Sequence, residues 1–285
     1  MASTLRLRLG VASIAALALV YLLAPAAGAQ NPEYRYKVMA PGGPAPRTAD
    51  GHPDLSGVWW PNRTGIPHVE NQVEPGDKFG VDPAALRQFD ARATPEERPS
   101  FQPWAQEKIK TMTATQSERA KLSVNCMPRG LPAIWLSNTY AIQFVQTPGQ
   151  LVQLIEVLNN FRVIPTDGRP HPKNPDPLFH GNPSGRWEGD TLVVESVGFD
   201  ERTFVSNNGT WFHSDDLKVT ERISRPSMNY LQVQITVEDP KVLTKPWTSA
   251  VRNWTRTTER VGEFYCTDNP DIGEFEKIIE QEKAK

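Results

Sequence analysis

From residue 131 to the neighbourhood of residue 266 the chain breaks into short runs rich in β-branched and aromatic residues: AIQFVQT, QLVQLIEVLNNFRVIP, DTLVVESVGF, LKVTERIS, YLQVQITVED and VRNWTRTTERVGEFYC. The turn signals TPGQ, LNN, EGD and SRPSMN separate several of them. Short strands joined by tight turns, with no helix between, predict an antiparallel meander. Such a sheet packs against helices or closes into a barrel, because exposed strand edges invite aggregation. The expected fold is mainly β, an antiparallel β-barrel or strongly curved sheet, with an N-terminal helical layer over residues 82–122. That layer rests on two starts. Asp82-Pro83 opens AALRQFDARA, and Pro103 opens a stretch whose apolar residues are Trp104, Ile109, Met112 and Leu122.

The segment GRWEGDTLVVESVGF, residues 185–199, is glycine-punctuated and raises the question of a phosphate loop. A phosphate loop needs glycines that open a helix. Here β-branched residues follow, so the segment reads as a hairpin turning at Glu188–Asp190, where Gly189 supplies the positive φ of a tight turn. Trp187 stands at the root of that hairpin, as a packing residue or as a ligand platform.

The first 29 residues combine Arg6 and Arg8, an apolar run from Val11 to Leu23, and Ala27-Gly28-Ala29. These are the parts of a secretory signal peptide, with periplasmic or secreted localisation expected and no stable membrane insertion after cleavage. Loss of both arginines takes the formal charge from -2 to -4. A mildly acidic chain lacks the basic stripe that nucleic-acid binding favours. Residues 30–54 form a Pro- and Gly-rich arm, 55–270 a single β-rich domain, and 271–285 a C-terminal helix. Cys126 and Cys266 are the only cysteines. An even count in an exported chain predicts one disulfide, closing a loop of 140 residues.

Strand alternation places three carboxylates on faces shared with apolar residues. Glu221 goes with Leu217, Val219 and Ile223; Glu195 with Val193, Val197 and Phe199; Glu156 with Val152 and Leu154. Each either lines a cavity or pairs with an arginine such as Arg162, Arg222 or Arg252, and a slip of one residue reverses any of these assignments. His171 sits in the rigid loop DGRPHP. His213 precedes Ser214 and two aspartates, so a Ser-His-Asp set can be assembled on paper, although no nucleophile elbow surrounds it. No HxxxH or HExxH spacing supports a metal, and no cofactor is expected.

The motifs PDLSGVW, CMPRGLP, VIPTDGRPHP, GRWEGDTLVVES, HSDDLKVTER and VEDPKVLTKPW occur in this order. Together they resemble a large family of secreted bacterial proteins, over about residues 53–266, a resemblance that implies no particular activity. Gly57-x-Trp59 is also similar to the first strand of lipocalin-like barrels. That resemblance implies a tryptophan packed beside an arginine of a late strand, Arg256 or Arg260. The chain departs from the lipocalin pattern by placing some 70 residues between this strand and the next.

The expected function is the handling of a small molecule inside an exported barrel. One form is a cofactor-independent acid–base enzyme, a lyase, isomerase or hydrolase acting on a sugar or aromatic substrate. His171 or His213 would work there with Glu156, Glu195 or Glu221, since a carboxylate beside a histidine can bring both pKa values toward working pH. The alternative is a binding protein of the cell envelope without chemistry, in which Arg162, Trp187 and Trp247 orient the ligand. A third is an interaction protein whose interior is filled by side chains.

Overall fold

In the computed structural model the residues described are 39–61, 98–111, 125–136, 140–205, 211–249, 251–266 and 272–283. The expected signal peptide and the greater part of the expected helical insertion, residues 82–97 and 112–122, lie outside them. Ten strands form one antiparallel sheet: β1 Gly57–Pro61, β2 Ile142–Thr147, β3 Gln150–Ile155, β4 Asn160–Pro165, β5 Asn182–Glu188, β6 Thr191–Val197, β7 Lys218–Ser227, β8 Tyr230–Glu238, β9 Trp247–Thr248 and β10 Arg252–Thr257. Their spatial order is β4-β3-β2-β1-β10-β8-β7-β6-β5, with β9 beside the far half of β8.

The two terminal strands of this order, β4 and β5, follow one another in sequence and curl toward each other. The Gly168 amide donates to the Gly185 carbonyl, and a Cβ on Gly185 would come within 2.6 Å of the Pro165 carbonyl. Only glycine permits that approach, and the sheet becomes a nearly closed antiparallel barrel. β1 joins the two meanders by pairing with β2 on one side and β10 on the other. It also limits its partner. The run beginning at Val251 is strand only to Thr257, because β1 offers just Val58–Pro61 opposite Trp254–Thr257.

Alternation assigns one side chain in two to the interior. Trp59, Phe144, Leu151, Ile155, Ile164, Leu192, Val219, Ile235 and Trp254 are all buried there. Removing one such side chain from water contributes about 1.5–3 kcal/mol. Helix α1, Pro103–Thr111, and α2, Ala133–Leu136, precede β2, while α3, Ile272–Lys283, follows the barrel. All four residues of α2 are buried, and Trp135 meets Trp254 and Phe144 edge-on at 5.2 and 6.1 Å. This single turn of helix plugs the barrel, and the Leu136 carbonyl accepts from the inward-facing Arg252.

Of the expected helical layer only α1 falls among the described residues. Ala105 of α1 packs with Phe212 and Val242 in a small satellite cluster rather than across the sheet. Trp104, expected among the packing residues, is half exposed and donates its indole N–H to the Lys241 carbonyl. Backbone bonds between Gln102 and Val242 and between Thr244 and Ser100 hold the start of α1 to the β8–β9 connection, beside the barrel.

The arm is packed against the protein from residue 39. It crosses the barrel end where β1 begins and β10 finishes. Arg47 donates to Asp190 through both terminal guanidinium nitrogens, Nη1 and Nη2, at 2.9 and 2.7 Å, His52 stacks on Trp187, and Asn229 donates to the Ala40 carbonyl. Cys126 and Cys266 are joined in a disulfide, tying the approach to α2 to the chain that leaves β10.

Candidate functional site

The inward face of β3 carries Leu151, Gln153 and Ile155, so an amide sits where alternation calls for an apolar residue. Opposite Gln153 in the β3–β4 register stands Arg162, also inward and buried. Its Nε donates to Gln153 Oε1 at 2.7 Å, and its Nη2 donates to Glu221 Oε1. Glu221 comes from β7, across the barrel, and is completely buried. Its Oε1 also accepts the indole N–H of Trp135. One chain of bonds thus links β3, β4, β7 and the plug helix through the centre of the barrel.

His180 lies just before β5, beside the Phe179 carbonyl that accepts the Leu131 amide at the approach to α2. Burial, and secondarily the positive charge of Arg162, push its pKa down to about 3. The ring is therefore neutral at physiological pH. Ser196 is inward on β6, two residues beyond Val194, which pairs with Glu221.

A buried polar group without a partner costs about 1–3 kcal/mol, so such groups are rare and call for an explanation. Here several occur together. Arg162 Nη1, Glu221 Oε2, Gln153 Nε2, Ser196 Oγ and both ring nitrogens of His180 make no hydrogen bond to the protein. Donors (Arg162, Gln153) and acceptors (Glu221) are both represented, with Ser196 and neutral His180 able to act as either.

The other expected site residues lie elsewhere. Glu195 is on the outer face, paired with Arg186 at 2.8 Å, and that bond lowers its pKa. Placing it inward is corrected: Val193 and Val194 are both buried, so composition does not show which face of β6 is the interior. Glu156 is corrected similarly. Val152 and Leu154 face outward, β3 ends at Ile155, and the chain enters a 3-10 turn in which Glu156 folds inward. Its Oε2 accepts the Ala141 amide, and its own amide donates to the Ala141 carbonyl. His171 lies on the outer side, within electrostatic reach of Glu195.

His213 and Ser214 do not face one another as a catalytic set. His213 Nε2 lies 2.8 Å from Thr203 Oγ1, and its Nδ1 lies 2.8 Å from the Ser214 carbonyl. The Ser214 hydroxyl donates instead to Asp239. Trp187 is half buried on the inward face at the barrel rim, its ring parallel to His52 at 4.4 Å. Trp247 is buried edge-on against Trp211 at 4.9 Å. Of the expected residues, only Arg162 and Glu221 meet. Sequence reasoning missed Gln153, His180, Ser196 and Trp135. A polar residue between Leu151 and Ile155 was the available signal for Gln153, obscured because Val152 and Leu154 give the opposite face an equal claim.

Among the described residues no group of three His, Cys, Asp or Glu side chains is arranged to hold a metal ion. None of their helices is long and apolar enough to cross a membrane. No family model, no curated protein and no solved structure matches this chain.

Proposed function

We propose that the chain is an exported envelope protein that binds a small polar molecule inside its barrel, with Arg162 and Glu221 as the anchors. One observation carries this: a cluster of inward-facing polar groups whose hydrogen-bonding atoms the protein leaves unanswered, in an interior otherwise built of Trp, Phe, Leu, Ile and Val. Binding sites of this kind are mostly apolar, with a few placed polar groups that fix orientation. The Arg162–Glu221 pair is neutral as a unit and His180 is uncharged, so a neutral ligand adds no uncompensated charge to the interior. An acceptor on the ligand meets Arg162 Nη1 and Gln153 Nε2, and a donor beside it meets Glu221 Oε2. Binding is favoured over acid–base catalysis because His171 and His213 both lie outside this group. The signal-like residues 1–29 and the disulfide support export, since disulfides persist in oxidising compartments.

The test is native mass spectrometry of protein purified without denaturation, together with thermal-shift titration of small neutral amides and polyols. The double variant Arg162→Met/Glu221→Leu removes both anchors without leaving either charge alone. A retained mass or a saturable shift in wild type, absent from the double variant, is expected. Equal behaviour of the two proteins would remove the case for this interior as the binding site.

A further inference from the structure

A second unpaired group lies at the opposite end of the barrel from the α2 plug, under the arm. Trp59 is buried on β1, and its indole N–H donates to the Leu55 carbonyl. Two arginines flank it. Arg225, from β7, is only 4 % exposed and holds its guanidinium 5.0 Å from the Trp59 ring centre. Arg256, opposite Trp59 in the β1–β10 register, approaches from the other strand. A Cβ on Gly57 would be 3.7 Å, an ordinary contact distance, from both Arg256 Nε and the Trp59 ring, so the guanidinium and the indole border the same point of β1.

The hydrogen bonds of these arginines are incomplete. Arg225 donates to the carbonyls of Asp54 and Met228, neutral acceptors that do not offset its charge, and its buried Nε has no partner. No side-chain hydrogen bond or ion pair engages the Arg256 guanidinium among the described residues. Arg256 acts on Arg225 as a like charge, and among the described residues the carboxylate that favours the charged form of Arg225 is Asp54. Asp54 Oδ1 is itself engaged by the Ser56 amide. Among the described residues, two cations against one carboxylate leave an excess positive charge beside a buried tryptophan.

We propose that Arg225 and Arg256, set around Trp59 beneath the arm, bind an oxyanion: the carboxylate or phosphate group of a small molecule. The guanidinium fork matches both geometries and makes charge-assisted bonds roughly twice as strong as neutral ones. Arg225 is the fixed half of the site, held by two backbone carbonyls and the indole face. Arg256, half buried and without an ion pair among the described residues, is the half that closes on the anion.

The experiment is calorimetric titration of the mature protein with inorganic phosphate and, separately, with acetate, at constant ionic strength held with chloride. Saturable binding of at least one is expected, and which one binds separates phosphate from carboxylate. Arg256→Gln should weaken it at least tenfold, while the exposed neighbour variant Arg260→Gln leaves it unchanged. Melting temperature without anion, measured alongside, shows that Arg256→Gln is folded. Binding to neither anion, or equal binding by wild type and Arg256→Gln, overturns the proposal. The Arg162→Met/Glu221→Leu variant should bind the anion as wild type does, so this site and the interior one fail or stand separately.

Discussion

At the scale of single residues, the interior is governed by charges that have no access to water. Glu221 receives hydrogen bonds from Arg162 and Trp135. Glu221→Gln leaves the Arg162 cation buried without a counter-charge, and breaking a buried pair in this way costs about 3–5 kcal/mol. Urea denaturation should show that loss. Arg162→Met/Glu221→Leu should recover at least half of it, since no lone charge remains. A double variant as unstable as the single one would show that hydrogen-bond geometry, not charge, sets the cost. His180 responds to pH. Its native pKa of about 3 lies below the ordinary 6.5, so the unfolded chain takes up a proton first as pH falls. Stability is complete above the unfolded value and drains away as pH drops from there toward 3. Between pH 6.5 and 5 this one group should remove about 1.5 kcal/mol. His180→Gln should flatten that part of the curve, and an unchanged slope would assign it to another group.

At the scale of elements, two glycines of one strand pair test different physics. Gly189 occupies the β5–β6 turn at φ +60, with nothing within 4 Å of an added Cβ. Gly189→Ala therefore meets only the backbone preference, about 1 kcal/mol. Gly185 has no such φ, but its Cβ would strike the Pro165 carbonyl. Gly185→Ala forces β4 and β5 apart or strains both, at about 1–3 kcal/mol. Denaturation midpoints should fall for both, and further for Gly185→Ala. A midpoint at Gly185→Ala equal to wild type would mean that the β4–β5 seam yields freely. The arm belongs to the same scale. A Pro- and Gly-rich composition reads as linker, yet residues 39–54 are bound to the barrel end by Arg47, His52 and the Ala40 carbonyl. Those partners are contributed by hairpins far along the chain, so local composition carries no trace of them.

For the whole molecule, the barrel is held from both ends, by the arm at one and α2 at the other, and the disulfide joins segments 140 residues apart. A cross-link of that span limits the unfolded chain, an effect of about 4–5 kcal/mol in the loop-entropy description. Cys126→Ser/Cys266→Ser should lower the denaturation midpoint by a corresponding amount while leaving the circular dichroism of the folded sheet unchanged. A midpoint equal to that of the oxidised wild type would show that the unfolded chain is already compact between these positions.

The strands, the hairpin at Gly189–Asp190 and the cysteine pair were legible in the sequence because each is decided by neighbours within a few residues or by parity. Alternation placed Glu221 correctly with Val219 and Ile223, since β7 is apolar on one face only. It could not orient β3 or β6, where Val152 and Leu154 or Val193 compete with the inward residues. Which face is interior was decided by closure of the sheet, with β1 inserted between β2 and β10 and Gly185 brought against Pro165. The same closure determined who meets whom. Gln153, Arg162, Trp135 and Glu221 come from four separate elements, and Arg225 and Arg256 from two strands, so their grouping exists only in three dimensions. Local periodicity determines that a residue points to one side; only the curvature of the whole sheet determines what it finds there.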